Sequence, residues 1–306
     1  MESVIETFQT LAAAVRRGDG RELERMACVA TTHVMLRGPL ASPGSRGLYS
    51  ALAPHYYRRR YRTDFDGPAA PDPFKRERVD PTRVRRFTRR VYPPWRNRRQ
   101  LFGTVRSGDW DRRPRAEVPT DGGPPKQLDT ADSIEETLLF HSLDSHFTDG
   151  TPWADTEFVR EVLDCLAAGR QHVWQDCKTK ADVYRRCRRM DGYYRSLARD
   201  GCESQANRVD VPDRRRGFLD VLEKEIVVDV GRDGELLLVS GKHRLCLSRL
   251  LELPAVPVVF LVRHADWMAT RRAVAGGEEF QDITHPDLRD LLAARTTKPA
   301  NGVVAS

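Results

Sequence analysis

Two aliphatic runs joined by a short glycine-containing turn constrain the fold of this chain more than any other feature. Apart from Asp229 and Glu235, the runs Ile226–Val230 and Glu235–Val239 consist of β-branched and aliphatic residues. The four residues between them are Gly231-Arg232-Asp233-Gly234. Turn residues between two such runs are typical of a β-hairpin, so the sequence predicts a hairpin here.

The segments around the hairpin predict helices and one more strand. Helical spacing of apolar residues predicts helices over Ser133–Leu143, Thr156–Ala168 and Lys180–Asp200, the last ending at Gly201. After the hairpin, a helix is predicted over Leu245–Leu253 and a buried strand over Val256–Val262.

Three consecutive basic residues follow the second run of the hairpin. The sequence Ser240-Gly241-Lys242-His243-Arg244, called the Gly241 turn below, joins that strand to the next helix. A strand that turns through Gly into a helix leaves backbone N–H groups pointing outward at the positive end of the helix dipole. The basic side chains add donors, and an Arg can bind phosphate through two hydrogen bonds. From spacing alone, a phosphate site and a surface turn with solvated side chains fit equally well.

A resemblance to a known family favours the phosphate site. The run Asp191–Gly201, the hairpin, the Gly241 turn and Val256-Pro257-Val258 together resemble the N-terminal domain of ParB proteins. The match covers about residues 180–265, under a third of the chain. Membership of the ParB/sulfiredoxin-like superfamily implies an α/β fold, of the α+β kind, with a small mixed sheet and helices. It also implies that the basic turn binds nucleotide phosphates.

The superfamily contains chromosome-partitioning CTPases, sulfiredoxins, a free serine kinase and reputed nucleases, and a shared fold does not choose among them. Sulfiredoxins resemble this sequence but carry their reactive cysteine where Lys242 stands, which argues against that activity. Partitioning proteins carry a helix-turn-helix domain after this one, whereas only about forty residues follow Val262. The leading hypothesis is therefore a protein that binds ATP or CTP with Mg²⁺, with an NTPase and a small-molecule phosphotransferase both open.

Carboxylates and a histidine elsewhere are candidates for the chemistry. Asp109 and Asp111 flank Trp110 and could hold the Mg²⁺ of a bound nucleotide, in which case their loop should face the Gly241 turn. The alternative is that both carboxylates cap turns. His264 follows the last strand and could act as a general base or a second phosphate donor, or simply as a hydrogen-bonded partner beside Trp267. A phosphotransferase also needs a carboxylate base, for which the candidates are Asp109, Asp111 and Glu203.

The basic charge of the chain is concentrated in one segment. Residues 58–115 carry 19 Lys or Arg against 7 Asp or Glu, while the whole chain has a net charge of +7. Such a segment attracts phosphates, so residues 58–99 could bind nucleic acid by backbone contacts and base stacking. The excess of Arg over Lys, 44 against 7, also fits high-GC coding with no functional demand. Non-catalytic nucleic-acid binding is the alternative function.

The sequence divides into four segments: a helical N-terminal region 1–55, an Arg/aromatic-rich segment and linker 56–125, a ParB-like core with a helical insertion 126–272, and a C-terminal tail 273–306. Residues 38–47 are rich in Pro, Gly and Ser and are predicted to form a loop. Residues 78–84 resemble the first strand of a ParB-type domain. That hypothesis requires them to lie beside Val256–Val262.

Hydropathy and cysteine spacing indicate the broad class. No run of eighteen apolar residues occurs, and Glu2 and Glu6 stand where a secretory signal carries basic residues, so we expect a cytoplasmic protein without a membrane partner.

The six cysteines lie far apart, which predicts free thiols. A zinc site formed by Cys165, His172, Cys177 and Cys187 stays open as an alternative.

Overall fold

The computed structural model describes residues 42–61, 67–121, 131–170, 173–175, 177–205, 217–282 and 284–297. The sequence also predicts helices over residues 4–17, from apolar spacing, and over 21–34, and a loop over 208–216; all three segments lie outside these ranges. The C-terminal tail is described as far as Thr297. No helix within the described ranges is long and apolar enough to cross a bilayer.

The helices of the described chain are, in order, α1 Pro43–Arg60, α2 Arg98–Leu101, α3 Leu138–Phe147, α4 Glu157–Ala167, α5 Lys180–Asp200, α6 Phe218–Leu222, α7 Lys242–Leu250, α8 Ala265–Gly276 and α9 Arg289–Thr297. The strands are β1 Arg76–Val79, β2 Arg86–Phe87, β3 Thr104–Arg106, β4 Ile226–Val230, β5 Leu236–Ser240 and β6 Val256–His264.

The six strands form one mixed sheet in the order β1, β6, β4, β5, β2, and β3 also pairs with β6. Strands β1 and β3 share one edge of β6: β1 runs antiparallel along Val256–Val259, and β3 runs parallel along Val262–His264. On its other edge β6 pairs in parallel with β4, and β4 pairs antiparallel with β5. The C-terminal ends of β3, β4 and β6 therefore lie together at one end of the sheet, and the Gly241 turn lies at the opposite end.

Both faces of the sheet are buried, which explains why β4 and β6 are mainly apolar without an alternating pattern, with Asp229 and Arg263 as buried charged exceptions. One face packs Val228, Leu238 and Phe260 against α3, α4, α5 and α7. The other packs Val227, Leu237 and Leu261 against an aromatic cluster from α1 and its neighbours, which includes Tyr57, Tyr61, Phe74 and Phe102.

The hairpin and the longest helix are confirmed. Strands β4 and β5 lie within one residue of the two predicted runs. Helix α5 has the predicted bounds because Thr179 and Asp182 form a capping box at its start and Gly201, at φ 70°, ends it. The mixed sheet with helices agrees with an α+β fold.

Several boundaries differ from the prediction. Helix α7 covers Lys242–Leu250 rather than Leu245–Leu253, because Gly241 is already its N-cap. Residues 43–47 are helical rather than loop, because Pro43 is the first residue of α1, where a missing N–H costs nothing. Helix α1 also crosses the predicted boundary at residue 55. The helix predicted from Ser133 begins only at Leu138, after the Thr137 cap. The segment near 78–84 forms a strand only as far as Val79, which lies opposite Val256, and a 3-10 turn follows at Pro81–Arg83.

The segment named above as the C-terminal tail contains ordered elements as far as residue 297. The described part of this segment contains the end of α8, a 3-10 turn at Pro286–Leu288 and α9. A buried carboxylate, Asp287, fixes it to the core by accepting hydrogen bonds from Arg263 on β6 and Trp267 on α8. The guanidinium of Arg271 donates to the Asp287 backbone carbonyl and forms an ion pair with Asp290.

Candidate phosphate site at the start of α7

The Gly241 turn leads from β5 directly into α7. Gly241 has φ 95° and is the N-cap of α7, and its carbonyl accepts the first helical hydrogen bond, from the Leu245 N–H, at 3.1 Å. A Cβ at this position would lie 3.0 Å from Ile226 Cα, so the turn requires glycine whether or not a ligand binds. Since glycine has no side chain to cap the helix, the first N–H groups of α7 point out of its start.

His243 is neutral, and a tryptophan from a distant loop sets which of its ring nitrogens carries the proton. The indole N–H of Trp174 donates to His243 Nε2 at 3.1 Å, so this nitrogen carries no proton and Nδ1 carries the only one. Burial lowers the pKa of His243 well below its usual value, and the positive charges of Lys242 and Arg186 lower it further. His243 can therefore offer a ligand a neutral N–H donor at pH 7.

Arg244 folds back against the loop that precedes β4 instead of pointing to solvent. Its guanidinium donates a hydrogen bond to the Lys224 backbone carbonyl, and its Nη1 lies 3.7 Å from Glu225 Oε2. The expected two-point contact with phosphate therefore requires this guanidinium to exchange partners. Lys242 and Arg244 both remain partly exposed.

Glu225 is the buried carboxylate beside the turn. The pairing of Val227 with Ser240 places Ile226 beside Gly241, and Glu225 immediately precedes Ile226. Its Oε1 accepts hydrogen bonds from Ser204 Oγ and from the Gln205 N–H, at 2.5 and 2.8 Å. Its Oε2 is buried and has no hydrogen-bond partner among the described residues. The hydroxyl oxygen of Ser240 is likewise buried without one in the described chain.

Asp109 and Asp111 lie at the opposite end of the sheet. Both carboxylates bind the guanidinium of Arg232 in the β4–β5 turn, at 2.7 and 2.8 Å. Five residues of β5 separate that turn from Gly241, which is about 17 Å at roughly 3.3 Å per residue. The expectation that this loop faces the Gly241 turn is therefore wrong.

The environment of Asp111 is that of a structural carboxylate. Burial opposes its ionisation, but hydrogen bonds from the Arg232 side chain and backbone outweigh burial and hold the pKa of Asp111 below its usual value. A cation already occupies the space between the two aspartates, so the pair does not fit Mg²⁺. Within the described ranges no group of three or more His, Cys, Asp or Glu side chains could hold a metal ion.

His264 also lies at this far end, and both of its ring nitrogens are engaged. Nδ1 accepts from the Asp266 N–H at 3.1 Å and caps α8, while Nε2 contacts the Gly108 carbonyl at 2.8 Å. Since Nδ1 accepts, Nε2 carries the proton and donates it to that carbonyl. The side chain is buried, and its partners include the Asp109 loop rather than Trp267. These contacts favour the hydrogen-bonded alternative over catalysis.

The structure brings Ser240, Gly241, Lys242, His243 and Arg244 together with two residues that sequence reasoning missed, Trp174 and Glu225. Glu225 is the charged residue immediately before a predicted strand. Its position places it at the N-terminal end of that strand, but this is only a weak signal of a functional role. Trp174 lies 69 positions before His243, and no local pattern relates the two.

Much of the Arg-rich segment serves the fold. At least nine of its basic residues form ion pairs with carboxylates in the described chain. Arg90 is buried and binds Asp229, which also accepts from Thr88 and the Val262 N–H. These pairs reduce the charge that the segment offers to a nucleic-acid backbone.

The five cysteines in the described ranges, Cys165, Cys177, Cys187, Cys202 and Cys246, are buried and form no disulfide. Burial raises the pKa of Cys187 to about 12, which keeps its thiol protonated. His172, the proposed fourth zinc ligand, lies outside the described residues.

No protein-family model, curated protein or solved structure matches the chain. The resemblance to ParB proteins therefore stays a prediction based on the residues themselves.

Proposed function

We propose that the protein binds the phosphates of a nucleotide, ATP or CTP, at the Gly241 turn. The observation that carries this proposal is the start of α7, a nine-residue helix that has no side-chain cap. Its first three residues are Lys242, His243 and Arg244. Backbone N–H groups at a helix start attract anions through both hydrogen bonds and the helix dipole. Two cationic side chains and one neutral donor surround them.

The three side chains make different contributions. Lys242 supplies a positive charge, and Arg244 supplies a planar pair of donors after exchanging its contact with Glu225 for a phosphate. His243 contributes its Nδ1 proton without adding charge, because Trp174 occupies Nε2. A bound Mg²⁺ would neutralise phosphate charge in this site, and Glu225 is the carboxylate whose free oxygen fits it.

Whether phosphate is transferred depends on a base at this end of the sheet. Asp109, Asp111 and His264 lie at the other end and are engaged by Arg232 and Gly108. Glu203 is exposed and adjoins Ser204, which contacts Glu225. We therefore propose nucleotide binding in the first place. Phosphate transfer, by an NTPase or a phosphotransferase, would need Glu203 or Glu225 near the reacting phosphate.

Calorimetric titration with ATP and CTP in the presence of Mg²⁺ tests the proposal. Replacing Arg244 by Gln should weaken binding at least about tenfold, the usual effect of losing a charge-assisted hydrogen bond. Arg112→Gln is the matched control, because it removes the same charge from an exposed pair with Asp233 at the opposite end. Equal affinities of the two variants, or no binding by the folded wild type, would refute a phosphate site at the Gly241 turn.

Nucleic-acid binding through residues 58–99 is the weaker alternative. Arg83, Arg86, Arg89, Arg90, Arg96 and Arg99 are all engaged with carboxylates of the fold. Salt-sensitive binding of an oligonucleotide that is lost on replacing Arg58, Arg59 and Arg60 would favour it.

A further inference from the structure

Glu225 is an incompletely satisfied carboxylate next to the proposed phosphate site. Its side chain is fully buried, yet only Oε1 receives hydrogen bonds, from Ser204 and Gln205. Burying a carboxylate oxygen without a donor is costly, and such an atom in a native protein requires an explanation. The Arg244 guanidinium stands 3.7 Å from Oε2, beyond hydrogen-bond distance.

The position of Arg244 creates a conflict if phosphate binds alone. A phosphate that draws the guanidinium away from Glu225 leaves a buried negative charge without its counter-ion. It also brings further negative charge close to that carboxylate. Both effects oppose binding, because removing one partner of a buried ion pair strands the other.

A divalent cation resolves the conflict. Mg²⁺ in nucleotide sites is commonly held by one or two protein carboxylates together with the substrate phosphates, and it prefers oxygen ligands. A single buried carboxylate with one oxygen anchored and the other unbonded fits this requirement. The Asp109 and Asp111 pair does not, because Arg232 occupies it.

We propose that Glu225 is the protein's ligand for Mg²⁺ and that the site takes the magnesium complex of a nucleotide rather than the free nucleotide. This inference rests on the proposed function. On binding, the pair between Arg244 and Glu225 is exchanged for two contacts, Arg244 with a phosphate and Glu225 Oε2 with the metal. No covalent bond changes in this exchange.

The test compares the affinity for ATP in excess Mg²⁺ and in EDTA. The wild type should bind ATP at least about tenfold more tightly with Mg²⁺, equivalent to about 1.4 kcal/mol. The Glu225→Gln variant keeps the shape of the side chain and removes its charge, so the preference should reverse in favour of free ATP. Glu279→Gln, which removes an exposed carboxylate that lies outside the Gly241 turn and its neighbours, should keep the wild-type preference.

Two results would overturn the inference: a wild type that prefers free ATP, or a Glu225→Gln variant that keeps the full Mg²⁺ preference. Absence of ATP binding in both buffers would instead refute the proposed function. Thermal unfolding of each variant shows whether it is folded.

A second measurement uses the wild type alone and covers the case in which Glu225→Gln fails to fold. Mn²⁺ in place of Mg²⁺ broadens the NMR signals of nearby amides. In the ATP complex, the amides of Gln205 and Ile226 should broaden strongly and those of Asp109 and Asp111 should not. Broadening confined to Asp109 and Asp111 would contradict the assignment of the metal to Glu225.

Discussion

His264 and His285 form the same pair of hydrogen bonds in two places. Each accepts a backbone N–H at Nδ1 from the residue two positions ahead, at 3.1 Å, and each contacts a glycine carbonyl with Nε2 at 2.8 Å. The carbonyls belong to Gly108 and Gly234. A buried histidine in this arrangement joins a helical turn to a loop and has no nitrogen left for a substrate.

We predict that His285 makes stability sensitive to mild acid. Burial lowers its pKa to about 4, so below the ordinary value of about 6.5 the unfolded chain takes up a proton that the folded protein refuses. Stability should then fall by up to about 1.4 kcal/mol per pH unit as the pH drops from 6.5 towards 4. Above pH 6.5 this contribution should be flat.

The His285→Asn variant tests this pH dependence by urea unfolding at pH 7.5 and pH 5.5. It should be less stable than the wild type by about 1–3 kcal/mol at pH 7.5, because the bond to Gly234 is lost. The difference should shrink by about 1 kcal/mol at pH 5.5. A difference that stays the same at both pH values would contradict the prediction.

Trp174 is predicted to control the protonation of His243. Trp174→Phe keeps an aromatic ring but removes the N–H that occupies Nε2, so the pKa of His243 should rise towards its ordinary value. An NMR titration of the histidine signals measures this shift. Trp153→Phe is the control, since that indole donates to Asp191 instead. An unchanged His243 titration in Trp174→Phe would show that burial alone sets its pKa.

At the level of single residues, the sequence predicted the Gly241 turn but not the state of its side chains. The basic residues are adjacent in the chain, whereas the groups that determine their behaviour are distant in sequence. Trp174 reaches His243 from another loop, and Glu225 reaches Arg244 across the β4–β5 pair. The same limit explains the error over Asp109 and Asp111, whose partner Arg232 lies over 120 positions away.

The helices and strands that were predicted correctly have sequence signals at their ends. Helix α5 has a capping box and a terminal glycine in its sequence, and β4 and β5 have a turn between two aliphatic runs. The segment after residue 273 has no such signal. It is ordered by ion pairs of Asp287 with Arg263 and Arg271 on β6 and α8, which no local pattern predicts.

Two glycine substitutions should have opposite effects on stability. Gly241→Ala places a Cβ 3.0 Å from Ile226 Cα at a residue with φ 95°, so it should destabilise the protein by about 1–3 kcal/mol. Gly192→Ala, inside α5 with open space around the new Cβ, should stabilise it by about 0.4–1 kcal/mol. Chemical denaturation of both variants gives the two values. A Gly241→Ala variant as stable as the wild type would show that the turn does not require glycine.

Across the whole molecule, the basic segment is an internal component of the fold as well as a surface. Strands β1 and β3 extend the sheet, and the buried Arg90 binds the carboxylate of Asp229 on β4. Composition alone could not separate this role from nucleic-acid binding, because both require many arginines in one stretch. Only the partners of each guanidinium distinguish the two.

The Arg90→Met variant tests this structural role. It should destabilise the protein by about 3–5 kcal/mol, since it leaves the Asp229 carboxylate buried without its counter-ion. The control Arg112→Ala breaks an exposed pair with Asp233 and should change stability by less than about 1 kcal/mol. Urea unfolding measures both effects. If the two variants were equally stable, the basic segment would not be a structural component of the sheet.

We propose above all that nucleotide phosphates bind at the start of α7. The most direct measurement is the change in backbone amide NMR shifts when the magnesium complex of ATP or CTP is added. We expect the largest changes at Lys242, His243 and Arg244, with little change at Asp109, Asp111 and Arg232 at the other end of the sheet. Largest changes at that other end, or no changes at millimolar nucleotide, would contradict this proposal.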